Sequence, residues 1–212
     1  MGSEKLTALI EELEREAQRE RSPAETPDVG IIMGSDSDLD VMMGSETGRP
    51  GAHDALTELG FEEQTGEGEP PDARFTFETY VVSAHRTPEL LYTYAETATD
   101  RGIDVIVAGA GGKSADLPNM TASVAYPLPV IGVPVQEKSL QSVIGMPQGA
   151  PLVAVDAGKS FNAALSATQI LAREHPDLRE RLLDYHENLQ EEVAGVSEDL
   201  HSLGTEEFKR RR

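Results

Sequence analysis

The stretch "IDVIVAGAGG", residues 103–112, is apolar almost without interruption and ends in glycines. A strand with one face in water would alternate apolar and polar side chains, and this stretch does not. A continuous apolar run bounded by glycine is typical of a strand that is buried on both faces of a parallel sheet.

Four more runs of this kind lie along the chain, separated by segments long enough to form helices. They are "VGIIM" (29–33), "FTFETYVV" (75–82), "LPVIGVPV" (128–135) and "PLVAVDAG" (151–158). Alternating strands and helices with right-handed crossovers predict an α/β fold, a three-layer, doubly wound parallel sheet with helices on both faces.

The rest of the chain is predicted to add to this domain. Residues 1–27 form an N-terminal helical extension with Leu6, Leu9, Ile10 and Leu13 on one face, and residues 176–212 form a C-terminal helical extension. The domain itself is expected at 28–175, with acidic, Gly- and Pro-rich surface insertions at about 44–74. His53 in the first insertion is interpreted as a solvated loop residue.

The charge balance limits the partners of the protein. Its 38 acidic and 18 basic residues give a formal net charge of -20, so we expect neither nucleic acid nor a membrane as partner. Few lysines and many acids indicate a salt-rich cytoplasm, as in a halophile.

No cysteine is present, no apolar run approaches the ~20 residues of a membrane span, and no signal peptide is recognisable, which predicts a cytoplasmic location.

Unusual residues follow each predicted strand. The motifs are "GSDSD" (34–38), "SAHR" (83–86), "AGAGGKSAD" (108–116), "PVQEKS" (134–139) and "DAGKSFN" (156–162). Ligands of open parallel sheets bind beyond the carboxyl ends of the strands, so these motifs are expected to meet at one pocket.

Several of these motifs suit an anionic ligand. Ser35 and Ser37 at a helix start could bind an anion, although simple capping is an equal alternative. Asp38 suits ribose hydroxyls better than phosphate. Arg86 could bind phosphate in a bidentate manner, or form a surface salt bridge.

The glycine-rich motif is neither a dinucleotide fingerprint nor a P-loop. It indicates close approach to a flat ligand or tight helix packing, and both remain open. His85 is the only histidine among the motifs, which is too few for a metal site and favours metal-free general acid-base catalysis. No serine occupies a nucleophile elbow.

Six segments together resemble the 5-(carboxyamino)imidazole ribonucleotide mutase family of de novo purine biosynthesis. They are "GIIMGSDSD", "VVSAHRTPELL", "VIVAGAGGKSADLPNM", "VIGVPVQ", "SVIGMPQGAP" and "NAALSATQIL", between Val29 and about Leu171. The resemblance implies a flavodoxin-like fold, a homo-oligomer, commonly an octamer with shared active sites, and no metal or organic cofactor.

The resemblance also implies roles for single residues. The substrate phosphate would be bound by Ser35, Ser37, Ser83 and Arg86. Asp38 would hold the ribose hydroxyls, and His85 would be the general acid-base group that moves a carboxyl group by decarboxylation and recarboxylation. Further candidates for substrate binding are Gly111, Gly112, Lys113, Asp116 and Leu117.

The chain departs from the family pattern in the acidic insertions, which should change the outer surface and not the site, and in two loops. Where the family carries a second histidine, this chain has "KSAD" (113–116), one residue longer, with Asp116 or Lys113 as substitutes. The loop after Gln136 is shorter, which affects the expected lid and oligomer contacts.

Two other functions remain open from the sequence. One is direct carboxylation of aminoimidazole ribonucleotide (AIR) by CO2. The other is a non-catalytic nucleotide-binding module, which would have no use for His85. A mutase would depend on an upstream ATP-dependent synthetase that makes its substrate, N5-carboxyaminoimidazole ribonucleotide (N5-CAIR).

Overall fold

The protein is seen in a computed structural model that describes residues 3–20, 25–45, 48–66 and 71–211. Within these residues the sheet contains six strands: β1 (Val29–Met33), β2 (Glu62–Glu63), β3 (Thr76–Val81), β4 (Val105–Ala110), β5 (Val130–Pro134) and β6 (Val153–Ala154). All neighbouring strands pair in parallel, in the order β2-β3-β1-β4-β5-β6. The predicted parallel sheet is confirmed.

Helices cover both faces of the sheet. The described helices are α1 (Glu4–Ala17), α2 (Leu39–Met42), α3 (Ala52–Glu58), α4 (Pro88–Thr97), α5 (Leu117–Val124), α6 (Leu140–Ile144), α7 (Ser160–Leu171), α8 (Pro176–Leu203) and α9 (Thr205–Arg211). One core cluster joins the sheet to α2, α3, α7 and α8, and a second joins its other face to α1, α4, α5 and α6. This is the three-layer architecture expected from the sequence, a flavodoxin-like fold.

The central strands match their apolar runs. Every residue of β1, β4 and β5 is buried, as a strand covered on both faces requires. The run 151–158 forms only the two-residue β6, which lies at the sheet edge with Val153 62% exposed. At the other edge β2 consists of two exposed glutamates, and such charge protects an open edge from pairing with another chain.

The segment predicted as surface insertions contributes to the core. Ala52, Ala55 and Leu56 of α3 are fully buried, because this short helix forms part of the crossover between β1 and β3. Part of the predicted insertions, residues 46–47 and 67–70, lies outside the described residues. The domain boundaries given above stay predictions.

His53 is packed against the sheet and is not solvated, in contrast to the sequence-based interpretation. Its side chain is 15% exposed, its Nε2 lies 2.7 Å from Thr79 Oγ1, and its ring packs edge-on against Phe77. Burial lowers the pKa of His53, with Glu63 and Asp54 opposing that shift. The interpretation as a solvated loop residue was wrong because His53 lies on α3, which packs against the sheet.

The terminal helices differ in how they pack. In α1, Leu13 is fully buried, with Leu6 and Ile10 packed beside the same core, whereas Leu9 is exposed, so the predicted apolar face is confirmed for three of its four residues. In α8, Leu178 is buried near the start, whereas Val193 further along is 70% exposed. No helix in the described ranges is both long and apolar enough to span a membrane.

The strand order creates a crevice. From β1 the chain crosses to β3 on one side, and then reaches β4 on the other side of β1. The connections after β1 and β4 therefore diverge and leave a gap at the carboxyl ends of these two strands, the usual ligand position in such sheets.

Candidate active site

A cavity of about 470 Å³ lies in this crevice, within the 300–1,000 Å³ range common for small-molecule sites. Ten of the eleven predicted site residues line it: Ser35, Ser37, Asp38, Ser83, His85, Arg86, Gly111, Gly112, Asp116 and Leu117. They come from the segments after β1, β3 and β4, so the sheet brings together side chains that are far apart in sequence. The expectation that all five motifs meet at one pocket was wrong for "DAGKSFN" (156–162), whose residues line a separate cavity beside Arg49 and Pro50.

The segment after β1 forms a tight turn on the cavity wall. Ser35 Oγ donates to Asp36 Oδ1 (2.9 Å) and accepts from the Ser37 backbone N–H (3.3 Å), so Ser35 does cap the turn. Capping and ligand binding are compatible here because Ser35 also lines the cavity. Within the described residues the Ser37 hydroxyl has no hydrogen-bond partner, which leaves it available to a ligand.

Arg86 is fixed between two strand ends. Its Nη2 donates to the Gly34 carbonyl (3.0 Å), and its Nε lies 3.4 Å from Ser83 Oγ. Ser83 is itself held by Thr87, whose Oγ1 accepts from the Ser83 backbone N–H (2.9 Å). Among the described residues Arg86 forms no salt bridge, so its charge remains available for an anion in the cavity.

Asp38 is a buried carboxylate at the floor of the cavity. It is 5% exposed, and burial raises its pKa, while hydrogen bonds from backbone N–H groups, chiefly that of Gly111, oppose this shift. In the described part of the chain no Lys or Arg pairs with it. A carboxylate held only by backbone groups is suited to accept hydrogen bonds from ligand hydroxyls.

The glycines after β4 have separate structural reasons. A Cβ on Gly109 would collide with the Met42 side chain, which is tight helix packing. A Cβ on Gly111 would lie 2.9 Å from Asp38 Oδ1, and Gly112 has φ +85, a conformation that favours glycine. Helix packing therefore explains Gly109, whereas close approach of a flat ligand to Gly111 and Gly112, which line the cavity, stays a prediction.

His85 contacts a carboxylate across the cavity. Its Nε2 lies 3.1 Å from Asp116 Oδ2, with the two side chains 62% and 41% exposed. The other oxygen, Asp116 Oδ1, accepts from Ser142 Oγ at 3.1 Å. The position predicted to replace a family histidine therefore holds a direct partner of His85.

The structure also shows what the sequence analysis missed. Lys113 does not line the cavity, whereas Ser114, Gln136 and Lys138 do. Gln136 and Lys138 belong to the motif "PVQEKS", whose position after β5 could have identified them. Ser142 carried no such signal, since it meets Asp116 from 26 residues away.

The other histidines lie away from this cavity. His175 packs on Phe75, and His186 lies 3.2 Å from the Gln190 side-chain nitrogen on α8. In the ranges described above, no three His, Asp or Glu side chains are grouped to hold a metal ion.

Comparison with known proteins defines the class. Residues 28–192 match the family described as AIR carboxylase, so the chain belongs to that family. Solved structures agree on the fold: a Treponema denticola PurE covers 84% of this chain and 99% of its own, with a TM-score of 0.62 and 22% identity.

Individual relatives carry names that are more specific than the description of the family. The chain is 39% identical over 188 residues to the N5-carboxyaminoimidazole ribonucleotide mutase of Thermotoga maritima, covering 86% of this chain and 96% of the relative. It is 44% identical over 182 residues to the protein of that name from Bacillus subtilis, covering 82% and 98%. A Schizosaccharomyces pombe protein named phosphoribosylaminoimidazole carboxylase is 39% identical over 194 residues, and the chain spans 31% of its length.

Proposed function

We propose that this protein is an N5-carboxyaminoimidazole ribonucleotide mutase, an isomerase that converts N5-CAIR to 4-carboxy-5-aminoimidazole ribonucleotide (CAIR) in purine biosynthesis. The observation that carries the proposal is one histidine beside an anion site and a buried carboxylate in a single cavity. Membership of the AIR carboxylase family and about 40% identity to named mutases support it.

The nucleotide is anchored by the segments after β1 and β3. Ser35, Ser37 and Ser83 supply hydroxyls for the phosphate, and Arg86, held by Ser83 and Gly34, supplies the positive charge. Asp38 accepts hydrogen bonds from the ribose hydroxyls. Holding the phosphate and the ribose fixes the imidazole ring of the substrate relative to His85. This orientation of the reacting groups raises the rate.

His85 transfers the protons. It protonates the carbamate nitrogen of N5-CAIR, the bond from nitrogen to the carboxyl carbon breaks, and CO2 is released beside the ring. Carbon four of the aminoimidazole then attacks CO2, and the neutral imidazole of His85 removes the proton from that carbon. One histidine thus acts first as acid and then as base, and the proton count balances.

Retention of CO2 requires a cover over the cavity. In the single chain the His85 side chain is 62% exposed, so the cavity is open on that side. We expect a second subunit of a homo-oligomer to provide the cover, as the family resemblance implies.

A cytoplasmic location, a salt-rich host and an upstream ATP-dependent N5-CAIR synthetase remain parts of this proposal.

Direct carboxylation of AIR is the second candidate. The name of the S. pombe relative, phosphoribosylaminoimidazole carboxylase, favours it. The same residues would serve, with CO2 arriving from solution instead of from the substrate carbamate.

Product formation by the purified protein in concentrated potassium chloride tests both candidates. One reaction contains fresh N5-CAIR at low bicarbonate, and the other contains AIR at high bicarbonate. Efficient conversion of only the first establishes the mutase, and efficient use of only the second establishes the carboxylase. Activity with neither would return the non-catalytic binding module to consideration.

The variant His85→Asn separates catalysis from binding. We expect nucleotide binding close to that of the unmodified protein and no measurable turnover, because asparagine cannot shuttle a proton near neutral pH. A His85→Asn protein that still turned over N5-CAIR would contradict the assigned role.

A further inference from the structure

The Asp116 carboxylate connects His85 to a serine on another helix. Asp116 lies just before α5, with Oδ2 3.1 Å from His85 Nε2 and Oδ1 3.1 Å from the Ser142 Oγ that donates to it. Each carboxylate oxygen therefore already has a partner within the protein. Three side chains from the segment after β3, the start of α5, and α6 form one continuous chain of contacts.

Ser142 is held in turn by α5. Asn119 Nδ2 donates to the Ser142 backbone carbonyl at 2.7 Å, so residue 142 is contacted by Asn119 on α5 as well as by Asp116 at the N-cap of that helix. Val143, the next residue of α6, is fully buried in the core. The serine end of the chain is thus anchored in packed structure, although His85 at the other end is largely exposed.

A role in binding the nucleotide fits Asp116 less well. A second carboxylate near the phosphate would repel it, and the buried Asp38, which no basic side chain within the described residues pairs with, is better placed for the ribose hydroxyls. Asp116 contacts the imidazole directly instead. A carboxylate on one ring nitrogen fixes the orientation and the tautomer of a histidine.

We propose that Asp116 is a positioning residue that accepts a hydrogen bond from His85 Nε2–H, with Ser142 holding the carboxylate in place. This inference rests on the proposed function. His85 Nδ1 has no hydrogen-bond partner among the described residues, so it is the nitrogen that exchanges a proton with the substrate. The longer loop "KSAD" thereby supports the single catalytic histidine instead of supplying a second one.

Kinetics of matched variants test the positioning role. Asp116→Asn keeps the shape of the side chain but lets its amide donate to Nε2, which favours the wrong tautomer. We expect kcat to fall about 100-fold, at the low end of what general acid-base catalysis contributes, with KM nearly unchanged. Glu89→Gln, which removes an exposed carboxylate four residues from His85 and outside the cavity, should leave both constants unchanged.

Ser142→Ala provides a second test that leaves Asp116 in place. We expect a smaller fall in kcat, about tenfold or less, because Ser142 acts on His85 only through Asp116, which keeps its own contact with the imidazole. It also keeps the proposal testable if Asp116→Asn does not fold. Unchanged kcat in both variants, or a raised KM with kcat intact, would overturn the positioning role.

Nitrogen NMR of the five histidines gives a readout that needs no substrate. The His85 signals are assigned by their loss in His85→Asn. In the neutral ring the proton should sit on Nε2 in the unmodified protein, and Asp116→Asn should weaken that preference. A proton on Nδ1 in the unmodified protein would overturn the inference, whereas failure to turn over N5-CAIR would overturn only the proposed function.

Discussion

Two buried carboxylates, Asp38 and Glu78, differ in the groups that satisfy their charge. Asp38, at the carboxyl end of the sheet, is 5% exposed and is held by backbone N–H groups alone. Glu78, within β3, is 6% exposed and receives Arg101 Nη1 at 2.7 and 2.8 Å on its two oxygens. A buried acid with a cation is satisfied without a ligand, whereas Asp38 still has acceptor capacity facing a cavity.

The largest effect is expected from breaking the Glu78–Arg101 pair. Arg101→Met leaves a buried carboxylate without its cation and should lower the free energy of unfolding by about 3–5 kcal/mol. Neither residue lines the cavity, so kcat of the folded protein at 25 °C should stay close to its original value. Urea unfolding in concentrated potassium chloride measures the loss.

The double variant Glu78→Gln/Arg101→Met is the control for this pair. Removing both charges should restore much of the lost stability, because no unpaired buried charge remains. A single Arg101→Met variant as stable as the original would mean that the pair differs less from Asp38 than the structure indicates.

Asp38→Asn should give the opposite pattern. We expect kcat/KM to fall about 10- to 100-fold, since a hydrogen bond to a charged group contributes about 1.5–3 kcal/mol. The loss of stability should be smaller than for Arg101→Met, because the buried charge disappears together with its hydrogen bonds. Steady-state kinetics and urea unfolding of the same sample test this, and a large loss of stability with intact kinetics would assign Asp38 to structure.

Gly112→Ala should have an intermediate effect that links the site to the backbone. Its φ of +85 makes a side chain unfavourable by about 1–2 kcal/mol. Gly149→Ala is the matched control, with φ +94, no atom within 4 Å of the added Cβ and no place in the cavity. Both should lose similar stability by thermal unfolding, and only Gly112→Ala should lower kcat, because it shifts the segment that carries Asp116.

A pH-dependent effect concerns Asp28, a third buried carboxylate. Burial, opposed mainly by the Thr76 backbone N–H, raises the pKa of Asp28 to about 6. Between its ordinary pKa of about 3.9 and about 6 the folded state binds the extra proton, so stability should fall as pH rises through that window. Asp28→Asn should flatten this dependence in thermal unfolding from pH 4 to 7, and an unchanged slope would contradict the assignment.

The central sheet could be predicted because a strand that is buried on both faces has a continuous run of apolar residues in its sequence. Every residue of β1 and β4 is buried, and each run is apolar without alternation. The sequence pattern of helix α3 is weaker, because its two turns lie among glycine, proline and acidic residues and bury mostly small side chains. Composition therefore suggested an insertion where the chain builds part of its core.

The site was predictable where strand ends alone decide the position. Ser35, His85 and Gly111 follow apolar runs directly, and all three line the cavity. Lys113 and Ser142 could not be judged in this way. Gly112 has a positive φ, and Lys113, the next residue, does not line the cavity. The contact of Ser142 with Asp116 depends on how α6 packs beside α5.

Asp116 also occupies the N-cap position of α5, yet its side chain makes no capping hydrogen bond. A capping side chain there would stabilise the helix by about 1 kcal/mol. The carboxylate instead contacts His85 and Ser142. A side chain at position 116 that capped α5 would therefore raise thermal stability and lower turnover. Laboratory evolution that selected only for heat resistance would therefore drift toward changes such as Asp116→Ser, and selection for growth without added purines would reverse that drift.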